Sequence, residues 1–447
     1  MNGRYWILAA FLTMFLAGAP VLSATAASSS PSPGQQQPAP APAQLETTPK
    51  TGQYTLSHDR YEKAVAYSRS QYTLYFVSFF YGLFMLLLVL RFGLAVHFRN
   101  LTERFSDRRL LQAALFVPLL FLTLDVLDLP LSVYRHSLAL RYELSVQTWG
   151  SWLWDWSKGE MLGILFGFLL VLILFAVIRR SPRRCWLYFW MAALPIALAA
   201  FFISPWVIDP LFNKFEPLDA RHPELVTAIE KVVHRAGMDI PREKMFLMQA
   251  SLKSNAINAY VTGFGASKRV VVWDTTIQKA TPNETLFIFG HEMGHYVLNH
   301  VRNGFLFAAA MLLGAFYLAF RGLHWALDRW GILWKIRGED DWAALPVMLG
   351  VLSVILFFAS PVFNGFSRMQ EAHADIYGLE VTHGMVPDSA EVAAHAFQVL
   401  GEVDLSDPNP PDFITFWLYS HPPVADRLVF AHTYDPWAKG QSPQYVK

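Results

Sequence analysis

A single cysteine, Cys185, stands among 447 residues. That excludes an intramolecular disulfide and any metal cage built from cysteines, and it leaves the redox compartment unreadable from thiol pairing. Charge is scarce as well: Asp, Glu, Lys and Arg supply 16% of the chain and the formal net charge is +1. This balance gives neither the basic field of a nucleic-acid binder nor the self-repulsion of an acidic solubiliser, and no nucleic-acid partner is expected. What fills the chain is apolar. Hydrophobic residues make up 53% and the mean hydropathy is +0.28, the profile of a membrane protein with a soluble portion.

Residues 1–27 carry one arginine, an apolar stretch and an Ala24-Thr25-Ala26 end. They read either as a cleaved signal peptide or as a first membrane helix. Residues 28–53 are dominated by proline, serine and glutamine without apolar periodicity, the composition of a disordered linker. "YEKAVAYSRSQY" follows as a helical lead-in. Six apolar runs come next, near 72–95, 110–130, 161–178, 185–207, 305–320 and 343–363. Each is close to the ~20 residues a helix needs to cross a bilayer. The run "MLGILFGFLLVLILFAVI" has no charge and is apolar all round, unlike a surface helix of a soluble protein. Asp125 and Asp128 interrupt the second run. Acids inside a span must face protein or water; the nearness of Pro130 favours a span that ends near Leu124 with both acids at the interface.

The predicted division is 54–207 for membrane helices, 208–304 for the first part of a soluble domain, 305–363 for two further membrane helices and 364–447 for the second part. Two spans separate the soluble pieces, so they must meet in space. The first piece contains the helix-like "PELVTAIEKVVHRAGM" and the strand-like "KMFLMQA", "NAYVTGF" and "KRVVVWD"; the second reads as helices. Basic residues cluster in 96–109 (Arg99, Arg104, Arg108, Arg109), 179–184 (Arg179, Arg180, Arg183, Arg184) and 321–342 (Arg321, Arg329, Lys335, Arg337). Alternation of the six spans puts these segments on one side, cytoplasmic by the positive-inside rule, and both soluble pieces on the other.

The stretch "HEMGHYVLNH" carries the chemistry. Positions i and i+4 share one helix face, so His291 and His295 can present two imidazoles to one zinc ion, with Glu292 beside them as general base. Thr281, Pro282 and Glu284 supply an N-cap, a first-turn proline and a capping box for that helix. A catalytic zinc needs a third protein ligand and one open position. In a metzincin it would be a later histidine, but Leu298 and Val301 occupy the required spacing, and His300 is offset by one and reads as an ordinary surface or interface histidine. In "EAHADIYG", Glu371 can complete the ligand set. Asp375, one helical turn on, would accept a hydrogen bond from a ligand histidine and fix its tautomer; His373 lies off that face. "NAINAYVTGFG" and "KRVVVW" can pair as a hairpin whose edge, at Ala259, Tyr260 and Val261, would bind an extended peptide. "YSHPPVADRL" adds His421, a candidate donor to a developing oxyanion, and Arg427. A site-2-type intramembrane protease is disfavoured, because the chain has no Asp-Gly pair and polar "TPNET" precedes the histidines.

Taken together, "SNAINAYVTGFG", "VVVWDTTI", "HEMGHYVLNH", "EAHADIYG" and "SHPPVADR" resemble the zinc metalloproteases of the type I CAAX prenyl protease family over roughly residues 54–435. The resemblance implies one zinc ion on His291, His295 and Glu371, Glu292 as base, Asn258 and His421 beside the scissile bond, and Asp375 and Arg427 as partners that orient the ligands. It implies a mainly α fold: a ring of six or seven membrane helices enclosing a chamber, with a split α+β zincin-like metalloprotease domain. The expected partners are membrane lipid and a peptide or protein substrate, lipid-modified if the family's eukaryotic chemistry carries over. Heat-shock-type membrane proteases share the histidine motif but are shorter, and a non-catalytic scaffold with a relic fold would bind no stoichiometric zinc. The charge count places the catalytic domain outside the cytoplasm, whereas the eukaryotic members face it inward. A C-terminal tag on this chain should therefore be removed by protease added to sealed right-side-out vesicles; protection of the tag would reverse the orientation.

Overall fold

The computed structural model describes residues 54–263 and 268–446; the N-terminal apolar stretch and the linker of 28–53 lie outside the described residues. In chain order come α1 (His58–Arg91), α2 (Leu94–Phe105), α3 (Arg109–Arg141), α4 (Trp149–Arg180) and α5 (Cys185–Ile203). Then follow β1 (Phe215–Pro217), α6 (Pro223–Arg235), β2 (Met245–Met248), β3 (Ala259–Thr262), β4 (Arg269–Trp273) and α7 (Asp274–Lys279). The chain ends with α8 (Pro282–Val297), α9 (His300–Trp330), α10 (Leu345–Thr382), α11 (Ser389–Val403), α12 (Asp412–Leu418) and α13 (Val424–Thr433).

Among the described residues six helical stretches are long and apolar enough to cross a membrane: α1, α3, α4, the Pro182–Phe212 stretch built on α5, α9 and the Trp342–Thr382 stretch built on α10. The protein is an integral multi-pass membrane protein. Its spans close a ring, α1 against α3, then α4, α5, α9, α10 and back to α1. The basic segments gather at one end. Arg99 is buried and reaches Asp341 at 2.5 Å and the Lys335 carbonyl at 3.2 Å. Arg337 pairs with Glu103. The fully buried Trp342 donates to Gln112 Oε1 at 3.0 Å, with the Phe175 ring 4.5 Å away and the Arg179 guanidinium 5.7 Å away.

The second span differs from the sequence expectation. α3 does not stop near Leu124; it continues past both Pro118 and Pro130 to Arg141, and Asp125 and Asp128 are buried rather than interfacial. A proline removes one helical hydrogen bond, which neighbouring groups in a membrane bundle can replace. The acids face protein: Ser132 donates to Asp128 Oδ2 at 3.0 Å, and Arg135 lies in the field of Asp128 while bonding to Ser78 of α1.

The two soluble pieces meet in one core. Val226, Ile229, Leu247, Phe287 and Phe289 from the first pack with Ala393, Phe397, Leu428 and Ala431 from the second, and the Phe287 and Phe397 rings meet edge to face at 5.2 Å. The sheet has the order β1-β2-β4-β3, with β2 and β4 parallel and the other pairs antiparallel. β4, "RVVVW", is buried at every position, as suits a β-branched strand covered on both faces. β3 pairs with it from Ala259 opposite Val272 to Thr262 opposite Arg269, and forms the edge.

α8 is the central helix, with every residue from Glu284 to Gly294 buried. Its start is set as the sequence predicts: Thr281 Oγ1 accepts from the Glu284 amide at 3.3 Å, Glu284 Oε2 accepts from the Thr281 amide at 3.0 Å, and Pro282 takes the first turn. α8 crosses α10 on glycines. A methyl group on Gly294 would stand 3.2 Å from the Ala374 Cα, and one on Gly378 would stand 3.0 Å from the His291 amide nitrogen. α10 runs unbroken across residues 363 and 364, so one helix holds both the last membrane span and Glu371. Gly378→Ala should push the two helices apart at a cost of about 1–3 kcal/mol, read as a lower Tm in detergent together with reduced metal content.

Candidate metal centre

The helical spacing of α8 puts His291 and His295 on one face, and their Nε2 atoms lie 3.1 Å apart. α10 brings in Glu371, whose Oε2 is 3.3 Å from His291 Nε2 and whose Oε1 is 3.5 Å from His295 Nε2. The three residues can offer ligand atoms that all lie within 4.8 Å of one another. Glu371 is buried with its two oxygens facing the two imidazoles, a carboxylate whose burial a cation would offset.

Asp375, one turn beyond Glu371, has Oδ1 2.7 Å from His291 Nδ1. Arg427 of α13 clamps that carboxylate through Nε at 2.9 Å and Nη2 at 2.6 Å, while its guanidinium lies 4.2 Å from the Phe397 ring centre. Burial opposes the charge on His291, yet the carboxylates of Asp375 and Glu371 push its pKa up to about 10. Burial raises that of Glu292, with the two imidazoles opposing. Burial works against the charge of Arg427, but Asp375 beside it raises its pKa. His421 Nε2 sits 3.3 Å from Glu371 Oε1, and Ser420 Oγ lies 2.9 Å from its Nδ1; burial lowers its pKa although Glu371 opposes.

Asn258 directly precedes β3 and is buried, with its amide donating to Thr276 Oγ1 at 2.8 Å and its carbonyl accepting from Trp273 at 3.1 Å. β3 packs on α8, so Ala259, Tyr260 and Val261 run beside the histidine helix. The tip between β3 and β4, at 264–267, lies outside the described residues.

Several supporting residues escape sequence reasoning. Asn364 and Arg368 share the face of α10 that carries Glu371 and Asp375, at spacings of four, three and four. Asn364 Nδ2 donates to the Trp417 carbonyl at 2.6 Å, and Arg368 Nη1 to the Thr415 carbonyl at 3.0 Å and to that of Tyr419. They hold the segment that presents His421; their polar spacing after an apolar run was the available signal. The segment before Asn258 is tied to the membrane ring. Lys253 pairs with Asp155 of α4 and donates to the Phe212 carbonyl at 2.6 Å, and Asn255 Nδ2 donates to the Glu143 carbonyl at 2.7 Å. No sequence pattern marks these long-range partners.

Comparison with known proteins agrees with this geometry. The profile of peptidase family M48 matches residues 219–434, and that of the CAAX prenyl protease N-terminal region, five membrane helices, matches residues 42–214. The uncharacterized metalloprotease YhfN of Bacillus subtilis is 36% identical, over 83% of this chain and 85% of that protein. The chain belongs to peptidase family M48. This M48 membrane metalloprotease is also 28% identical to a CAAX prenyl protease 1 homolog of Arabidopsis thaliana, over 86% of this chain and 90% of the relative. Its fold matches the crystal structure of S. mikatae Ste24p with a TM-score of 0.71 at 24% identity, covering 84% of this chain and 89% of that one.

A metal ion needs neutral imidazoles, and the carboxylates of Asp375 and Glu371 raise the pKa of His291 in the absence of an ion. Metal uptake at neutral pH should therefore release a proton, and affinity should rise with pH by up to about tenfold per unit below that pKa. Calorimetry in buffers of different ionisation enthalpy, with chelator competition at several pH values, measures both.

Proposed function

We propose that this protein is a zinc metalloendopeptidase of the type I CAAX prenyl protease kind, hydrolysing peptide bonds in a peptide or protein substrate. The observation that carries the reading is the convergence of His291, His295 and Glu371, with Glu292 next in the chain to His291. Zinc suits the donor set. Ligand atoms at ~2.0–2.2 Å from a tetrahedral ion are separated by about 3.3 Å; the two imidazole Nε2 atoms lie 3.1 Å apart, and each has one of the two Glu371 oxygens at 3.3 or 3.5 Å. Two nitrogens and one carboxylate leave the fourth position open, as a catalytic zinc requires.

Bound there, zinc would supply Lewis acidity toward the scissile carbonyl and the attacking water. The chain's own groups do the rest. The substrate lies extended along β3, whose free edge pairs with its main chain. Glu292, its pKa raised by burial, takes a proton from the attacking water as the oxygen adds to the carbonyl carbon. His421, with Ser420 on its Nδ1, keeps a proton on Nε2 to donate to the oxyanion, with Asn258 as the second candidate donor. The carbon–nitrogen bond breaks as Glu292 passes its proton to the leaving amine. Asp375 and Arg427 hold His291 in the tautomer that leaves Nε2 free. The CAAX prenyl protease relatives support a lipid-modified peptide as substrate, and the loop charges support an extracytoplasmic catalytic domain.

Glu292→Gln should retain one zinc per chain and lose turnover by about two to four decades, whereas a chelator should inactivate the wild type reversibly. Mass-spectrometric mapping of cleavage in prenylated and bare peptides checks the substrate class. Near-normal turnover in Glu292→Gln would end the assignment.

A further inference from the structure

His300 belongs to the same decapeptide as the two histidine ligands, but in a continuous helix it would stand about 140° round the axis from His295. It does not, because α8 ends at Val297 and Asn299 adopts a left-handed conformation with φ of 58°. Asparagine tolerates that conformation better than other non-glycine residues. The turn folds His300 back as the first residue of α9, where it is 3% exposed and its Nδ1 lies 3.1 Å from His295 Nδ1. Gln370, the neighbour of Glu371 on α10, donates to the His300 carbonyl at 3.2 Å and fixes the turn from the other side.

We infer that His300 is a positioning residue that sets the tautomer and ring orientation of His295 by accepting its Nδ1–H. The inference rests on the zinc reading above. His295 Nε2 faces His291 and Glu371, so its lone pair must be free for the ion and its proton must sit on Nδ1. Two ring nitrogens at 3.1 Å are joined only when one carries the hydrogen and the other a lone pair. His300 is then neutral and protonated on Nε2. The two ligand histidines are thus oriented by different chemistry, His291 by the Asp375 carboxylate and His295 by a neutral imidazole. Charge explains the difference. The buried carboxylates of Glu292, Glu371 and Asp375 are matched by Arg427 and a divalent ion. A further carboxylate at position 300 would be uncompensated, and a neutral acceptor preserves the balance.

The test compares zinc affinity, by competition with a chromophoric chelator, in the detergent-purified full chain. His300→Asn can place a neutral amide oxygen where Nδ1 stands; His300→Leu removes the acceptor, and His300→Phe does so while keeping a ring. The expected result is a loss of about 10- to 100-fold in the Leu and Phe variants, the range typical of lost outer partners, and about threefold or less in Asn. Thermal unfolding of the metal-free proteins shows whether each variant folds, and Phe stands in if Leu does not. Asn binding as weakly as Phe, or Leu and Phe binding as tightly as wild type, overturns the inference. A wild type without stoichiometric zinc overturns the zinc reading itself, and the inference with it.

Discussion

The close crossing of α8 and α10 is the constraint on which the rest of the protein depends. One helix carries two imidazoles and the general-base candidate, the other carries the carboxylates, and their axes approach only because glycine occupies positions 290, 294 and 378. Interiors are packed too tightly to absorb an added methyl group without displacement. At this crossing a displacement acts directly on the distance between His291 and Glu371. The same glycines would read as weak points in an isolated helix. Here burial on all sides of α8 supplies the stability that propensity does not.

A second constraint is electrostatic. Glu292, Glu371 and Asp375 are buried together, and a low-dielectric interior does not tolerate unmatched carboxylates. Arg427 satisfies Asp375 through two hydrogen bonds, and the carboxylates of Asp375 and Glu371 face His291 and favour its charged form. The pocket thus favours a cation beside its carboxylates. This links folding to metal binding, because the ion would satisfy groups that otherwise weaken the core.

The membrane ring does more than anchor this centre. α10 leaves the bilayer as the helix that bears Glu371, and the partners of Lys253 and Asn255 on α4 and beside α3 hold the segment leading into β3. The edge strand and Glu371 are therefore both positioned by membrane helices. The buried Asp128 and Ser132, with the half-buried Arg135, carry polar character into the ring.

The sequence alone determined the six spans, the start of α8, the three strands of the "KMFLMQA", "NAYVTGF" and "KRVVVWD" stretches, and the pairing of His291 with His295. Each is a local pattern: apolar length, a capping box, β-branched runs, or the i and i+4 geometry of one helix. It also marked Glu371, Asp375, His421 and Arg427 as chemistry-bearing residues, but their meeting is a property of contacts between distant segments, and spacing along a chain does not encode distance across a fold. Only the tertiary structure decided that Asp125 and Asp128 are buried, since a proline signals a helix end unless neighbouring helices stabilise the break. Only it moved His300 from a bystander to the side of His295, because one left-handed residue at Asn299 redirects the chain in a way that helical periodicity cannot anticipate.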